Sequence, residues 1–89
     1  MMAVYVDDMY LSPMGQFGRM KMSHMMADTE AELYAMADKI GVARKWVQKK
    51  GQGRHRMHFD VAMSARAKAV AAGDIEMTMR EMGMMCRRW

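Results

Sequence analysis

Along this chain the spacing of apolar positions changes several times, and each change marks an element. Val4-Tyr5-Val6 is β-branched and aromatic and predicts a first strand ending at Asp7-Asp8. Residues 11–19 carry Pro13, Gly15 and Gly18, which is loop composition. Met20 through Met26 alternates in part and predicts a second strand. Leu33, Met36, Ala37 and Ile40 then fall at i, i+3, i+4 and i+7, one apolar stripe of a helix. Thr29 with Glu32 makes a capping-box pair, Asp28 and Glu30 suit the positive end of the dipole, and Gly41 suits a left-handed C-terminal cap. Together they predict a helix over about 29–40.

Arg44-Lys45-Trp46-Val47 fits a short helical turn, followed by a flexible tip at Gly51-Gln52-Gly53. Met57 through Val61 is strand-like. Met63, Ala67 and Val70 take helical spacing ahead of Gly73, and Ile75-Glu76-Met77 reads as a brief strand. Thr78 and Glu81 form a second capping-box pair, opening a third helix through Met82 and Met85 that contains Gly83. Strands alternating with helices predict an α/β fold: one small domain over residues 1–89, with three or four short, mostly parallel strands and three helices. No internal repeat or linker is visible.

Composition changes this picture in three respects. At 89 residues the chain buries only about 60–65% of its unfolded surface, so its core is thin, and a homodimer would thicken it. Methionine occurs 16 times, while leucine is confined to Leu11 and Leu33 and isoleucine to Ile40 and Ile75. Methionine at core spacing substitutes for leucine at little cost, and the competing reading is an adaptable binding surface. The single cysteine, Cys86, excludes an internal disulfide and fits a reducing cytoplasm. No apolar run approaches a membrane span, and Asp7 and Asp8 within the first ten residues are unlike a signal peptide. The expectation is a cytoplasmic protein with no membrane partner.

Charge is unevenly placed. The net charge is +4, yet residues 1–42 hold 3 basic and 6 acidic side chains, whereas residues 43–89 hold 11 basic and 4 acidic. Arg44, Lys45, Lys49, Lys50, Arg54 and Arg56 crowd together around Trp46, with no acid between Lys39 and Phe59. Such a block suits an anionic partner: its cations neutralise phosphates and the indole stacks on an unpaired base. The structural alternative is a solvated loop with Trp46 packed into the core. Gly51 and Gly53 lack the spacing and the closing Lys-Ser/Thr of a phosphate loop.

Histidines carry the candidate chemistry. His24 and His58 each lie within an apolar, strand-like run, where a polar ring needs a partner. Asp60 is two residues from His58 and so shares its strand face. In open α/β sheets, ligands collect at C-terminal strand ends, where Asp7 and Asp8 stand. Asp8, His24, His58 and Asp60 are therefore the candidate catalytic and metal-ligating set. Their nitrogen and oxygen donors suit zinc, manganese or iron, with magnesium a further divalent candidate, for activating water against a phosphoester. The structural alternative has Asp7 or Asp8 capping a turn, His24 bonding a backbone carbonyl, and Asp60 opening a helix. A metal-free version makes His58 a general base beside Asp60, with Ser23 or Ser64 as nucleophile by residue type alone. A third class is protein recognition through Met79, Met82, Met85 and Trp89, set against the packing of that stripe on the sheet.

Several of these segments resemble a small prokaryotic and phage family, domain-of-unknown-function family 4031. The matching stretches are Val4 through Asp8, Ser23 through Thr29, the helix from Glu32-Leu33 to Gly41, Arg44 through Gln48, His58 through Val61, and Ala69 through Met77. The resemblance implies a small stand-alone domain and no particular activity. The chain departs from the pattern at Met9 and its neighbours, where aromatic and proline residues are usual. Phe59 also stands in place of a tyrosine, and the basic loop Lys49–Arg56 is longer than the family's turn. The expectation is an interaction module that engages nucleic acid or a host protein through the basic 44–56 region. The alternative is a metal-dependent phosphoesterase or nuclease using Asp8, His24, His58 and Asp60.

Overall fold

Alternation of buried and half-buried residues identifies the central strand. In the computed structural model, which describes residues 3–89, β3 (Met20–Ala27) buries Ser23, Met25 and Ala27 on one face and turns His24 to the other. β1 (Val4–Val6) and β4 (Phe59–Ala62) alternate in the same way, burying Val4 and Val6, and Phe59 and Val61. Met25 pairs with Val6 on one side and Phe59 on the other, so β3 lies between β1 and β4, antiparallel to both. The two-residue β2 (Gln16–Phe17) pairs antiparallel with the start of β3, and β5 (Ile75–Glu76) joins β1 in parallel.

The sheet is therefore mixed and mostly antiparallel, with five strands rather than three or four. The expectation of mostly parallel strands fails because a parallel neighbour requires a crossover, usually a helix. Residues 7–19 hold only two 3₁₀ turns and β2, so the chain returns antiparallel beside β1. After α1 (Glu30–Ile40), the segment 41–58 reverses the chain again before β4. β4 and β5 both run with β1, which makes α2 (Met63–Ala71) the crossover of a βαβ unit spanning β3 and β1.

α1 begins where Thr29 Oγ1 accepts the Glu32 N–H at 3.2 Å and ends at Gly41, with φ 79°. Leu33, Ala37 and Ile40 of α1 and Ala69 of α2 cover the face of Met25, Phe59 and Val61. Within α2 the expected stripe is displaced: Met63 is exposed, while Arg66 and Ala69 are buried. In this alanine-rich helix, the hydrogen bonds and ring contact of Arg66 outweigh a weak apolar signal. α3 (Met79–Arg88) opens with a complete capping box, Thr78 and Glu81 exchanging bonds of 3.0 and 2.9 Å. It packs on the opposite face of the sheet, where Cys86 Sγ meets Met26 Sδ at 3.4 Å. Among the described residues, no helix is long and apolar enough to cross a membrane.

Candidate metal centre

The face of the sheet turned away from α1 and α2 carries the polar residues. Register places Asp60 directly across from His24, and the Asp7 N–H donates to the His24 carbonyl at 3.1 Å, which sets Asp7 on the other side. His58 enters through a bridge with Gln48 and shares the face of Asp60 two residues on. The result is a row of Asp7, His24, Asp60 and His58 beneath α3.

Distances within the row define a cluster. His24 Nε2 stands 3.9 Å from Asp60 Oδ1, and His58 Nε2 stands 3.6 Å from the same oxygen. The two rings meet edge to face with centroids 5.0 Å apart, and one ligating atom from each of the three residues lies within 4.8 Å of the others. Asp60 Oδ1 is buried and has no hydrogen-bond partner among the described residues. A buried carboxylate oxygen without a partner costs free energy, and a cation held between the three residues would offset that cost.

The far side of each imidazole fixes which nitrogen faces the cluster. His58 Nδ1 lies 2.7 Å from the Arg56 carbonyl, which can only accept, so Nδ1 carries the hydrogen. His24 Nδ1 lies 2.7 Å from Asp7 Oδ2 in the same relation. In the neutral rings, both Nε2 lone pairs are therefore turned to Asp60. Asp7 is fully buried and held by the Met9 and His24 N–H groups at 3.0 and 2.9 Å, an arrangement of the kind that orients metal-binding histidines. The Asp7 carboxylate raises the pKa of His24 above the usual imidazole value, burial opposes it, and Asp60 adds a smaller push upward. Arg66 secures this end of β1, donating to the Asp7 carbonyl and to Glu76, both at 3.0 Å, and lying over the Tyr10 ring.

Beside the cluster an open cavity of about 600 Å³ separates the sheet from α3. Its wall is sulfur-rich, formed by Met14, Met26, Met79, Met82 and Cys86. Burial pushes the Cys86 thiol up, which holds it in the neutral form along this wall. His55, Arg56 and Arg80 line the same space.

Of the four residues expected from the sequence, His24, His58 and Asp60 come together, and Asp8 does not join them. Asp8 Oδ1 instead accepts the Met79 N–H at 2.7 Å, at the start of α3. Asp7 takes the neighbouring place, and strand alternation could have found it, since burying Val4 and Val6 leaves Tyr5 and Asp7 on the face of His24. Nothing local in the sequence marks Arg66 or Arg80. Ser23 is buried with its hydroxyl accepting the Tyr10 N–H, and Ser64 stands exposed on α2. The basic residues divide among several surroundings. Arg44 is held by Asp38 through bonds of 3.0 and 2.6 Å, and Arg44, Lys45 and Lys50 line one shallow depression. Lys49 occupies a left-handed turn, Arg54 lies over Trp89, and Arg56 reaches the cavity. Trp46 is not packed into the core: it is 61% exposed, with Lys45 over its ring. On α3, Met82 is buried and Met79 lines the cavity, so much of that stripe packs inward.

No curated protein and no solved structure matches the chain. Residues 4–89 match the family model described as a protein of unknown function, DUF4031, and the chain belongs to that family.

Proposed function

We propose that His24, His58 and Asp60 hold one divalent metal ion and that the protein uses it to hydrolyse a phosphoester. The observation that carries the reading is the buried, unpartnered Asp60 Oδ1 facing two imidazole Nε2 atoms. Two histidines and one carboxylate are a borderline donor set suited to zinc, manganese or iron, and three protein ligands leave positions open for water and substrate. Donors around such an ion stand about 3–3.4 Å apart, so the His–Asp separations of 3.6 and 3.9 Å need adjustments of a few tenths of an ångström. The two imidazoles, with all donors within 4.8 Å, close by up to about 1.5 Å. A bound ion would supply Lewis acidity and a water of lowered pKa. The chain's own residues do the rest: Asp7 orients His24, the Arg56 carbonyl orients His58, and Arg56 and Arg80 offer positive charge at the cavity. The test is hydrolysis of p-nitrophenyl phosphate by chelator-treated protein resupplied with manganese, zinc or magnesium. The reading expects metal-dependent turnover that His58→Ala abolishes while leaving the protein folded. Equal turnover in that folded variant contradicts it.

A second reading rests on the 61% exposure of Trp46. Single-stranded nucleic acid could stack on this indole with Lys45, Lys49 and Lys50 beside its phosphates. That reading expects binding that weakens steeply with salt and that Trp46→Ala lowers about tenfold. Binding unaffected by Trp46→Ala sinks it, and the metal centre is untouched by either result.

A further inference from the structure

Gly83 sits inside α3, where glycine is about 1 kcal/mol less favourable than alanine. Its backbone is helical and does not require glycine. A Cβ added at this position would meet no atom within 4 Å. The open space there is the cavity beside the metal centre, whose wall Gly83 shares with Met14, Met26, Met79 and Met82. A side chain at 83 would occupy part of that room. At about 600 Å³ the cavity lies within the range of small-molecule sites.

The rim supplies the complementary chemistry. Arg56 and Arg80 are exposed, and among the described residues neither forms an ion pair. His55 stands with them, and Asp7, the carboxylate on this wall, is already committed to His24 and two backbone N–H groups. Two of the first amides of α3 are already taken, the Met79 N–H by Asp8 and the Glu81 N–H by Thr78. Recognition of an anion here rests on the guanidinium groups, whose planar fork matches phosphate oxygens.

Resting on the metal reading of this site, we infer that the substrate is a small phosphate monoester with an aromatic or apolar body. The body lies in the methionine-lined cavity over Gly83, and the phosphate lies between the metal centre and Arg56 and Arg80. Thioether side chains suit a planar ring, because they are flexible and polarisable and make favourable sulfur–aromatic contacts. In the hydrolysis, the water oxygen forms the new bond to phosphorus and the ester P–O bond breaks. The alcohol leaves carrying a proton from that water, and inorganic phosphate remains.

The experiment is calorimetric titration of the full chain with the hydrolysis-resistant methylenephosphonate isostere of adenosine 5′-monophosphate (the monophosphate), inorganic phosphate and adenosine, each in the presence of manganese. The monophosphate should bind at least about tenfold more tightly than either fragment. Gly83→Leu should lower its affinity about tenfold while sparing phosphate and manganese, and Arg80→Gln should weaken monophosphate and phosphate together. Gly83→Ala, a better helix former, shows a smaller loss in the same direction and serves if leucine unsettles the fold. Equal affinity for monophosphate and phosphate, or no effect of either Gly83 variant, overturns the inference and leaves the metal centre standing. A parent protein that binds no manganese, zinc or magnesium overturns the metal reading, and the inference falls with it.

Discussion

Two carboxylates flank His24, and their hydrogen-bond partners give them different roles. Asp7 is fully buried and satisfied on both oxygens, whereas Asp60 is partly exposed and keeps one buried oxygen without a partner. Replacing Asp7 by asparagine should therefore impair the centre without removing a ligand. The side-chain oxygen can still accept the Met9 and His24 N–H groups, but the amide nitrogen donates toward His24 Nδ1. That moves the ring hydrogen to Nε2, where it blocks a metal, so Asp7→Asn should weaken metal binding about 10–100-fold in a calorimetric titration. Asp74 makes a separate prediction. It is buried with neither oxygen partnered among the described residues, and burial raises its pKa from 3.8 to about 6. Between those values the folded protein holds a proton that the unfolded chain has lost. The contribution is thus most favourable below about pH 4 and is lost as pH rises through about 6. Asp74→Asn should flatten this slope and raise stability at pH 7.5 by on the order of 2 kcal/mol, read from denaturant melts at pH 4 and 7.5. Three of the four candidate site residues were legible in the sequence, because an imidazole in an apolar strand and a carboxylate two residues away are local signals. The choice of Asp7 over Asp8 needed the face of β1, and the anchoring by Arg66 needed a contact across 59 residues.

At the scale of elements, the ends of α1 and α3 were legible locally, whereas the buried face of α2 and the strand pairing were not. The helix at 30–40, its Thr29 and Gly41 ends, and the capping box of α3 all follow from residues within one or two turns. Strand direction depends on what the connections do, and the loop composition of 11–19 gave no sign that it holds β2 or returns antiparallel. Gly15 shows how tightly that return is packed. A Cβ there would collide with the backbone carbonyls of Met9 and Met22, the latter at 2.7 Å, and neither can move as a side chain would. Gly15→Ala should cost about 3 kcal/mol in equilibrium unfolding, against a few tenths for an exposed loop alanine. In α3, Thr78→Ala removes an acceptor from the first turn and should cost about 1 kcal/mol. Because α3 covers the cavity, that variant should also weaken monophosphate binding while leaving the three proposed ligands, His24, His58 and Asp60, in place.

Across the whole molecule the two faces of the sheet are used differently. α1 and α2 close one face over Met25, Phe59 and Val61, and α3 covers the other only in part, leaving the cavity beside His24 and His58. Methionine serves both purposes, since Met25 and Met57 fill the core while Met14, Met26, Met79 and Met82 line the cavity. The positive charge of the second half of the chain is likewise divided, with Arg56 and Arg80 at the cavity and Arg44 tied to Asp38. The central claim is that the cluster holds a metal, and thermal melting tests it most directly. A ligand that binds only the native state at a hundred times its dissociation constant adds about 2.7 kcal/mol. In a domain of this size, that raises the melting temperature by about 10–20 °C. Chelator-treated parent protein should show such a rise with manganese or zinc, and the near-isosteric Asp60→Asn should show little or none. A parent that does not shift with manganese, zinc or magnesium, or an Asp60→Asn variant that shifts as far as the parent, would contradict the claim.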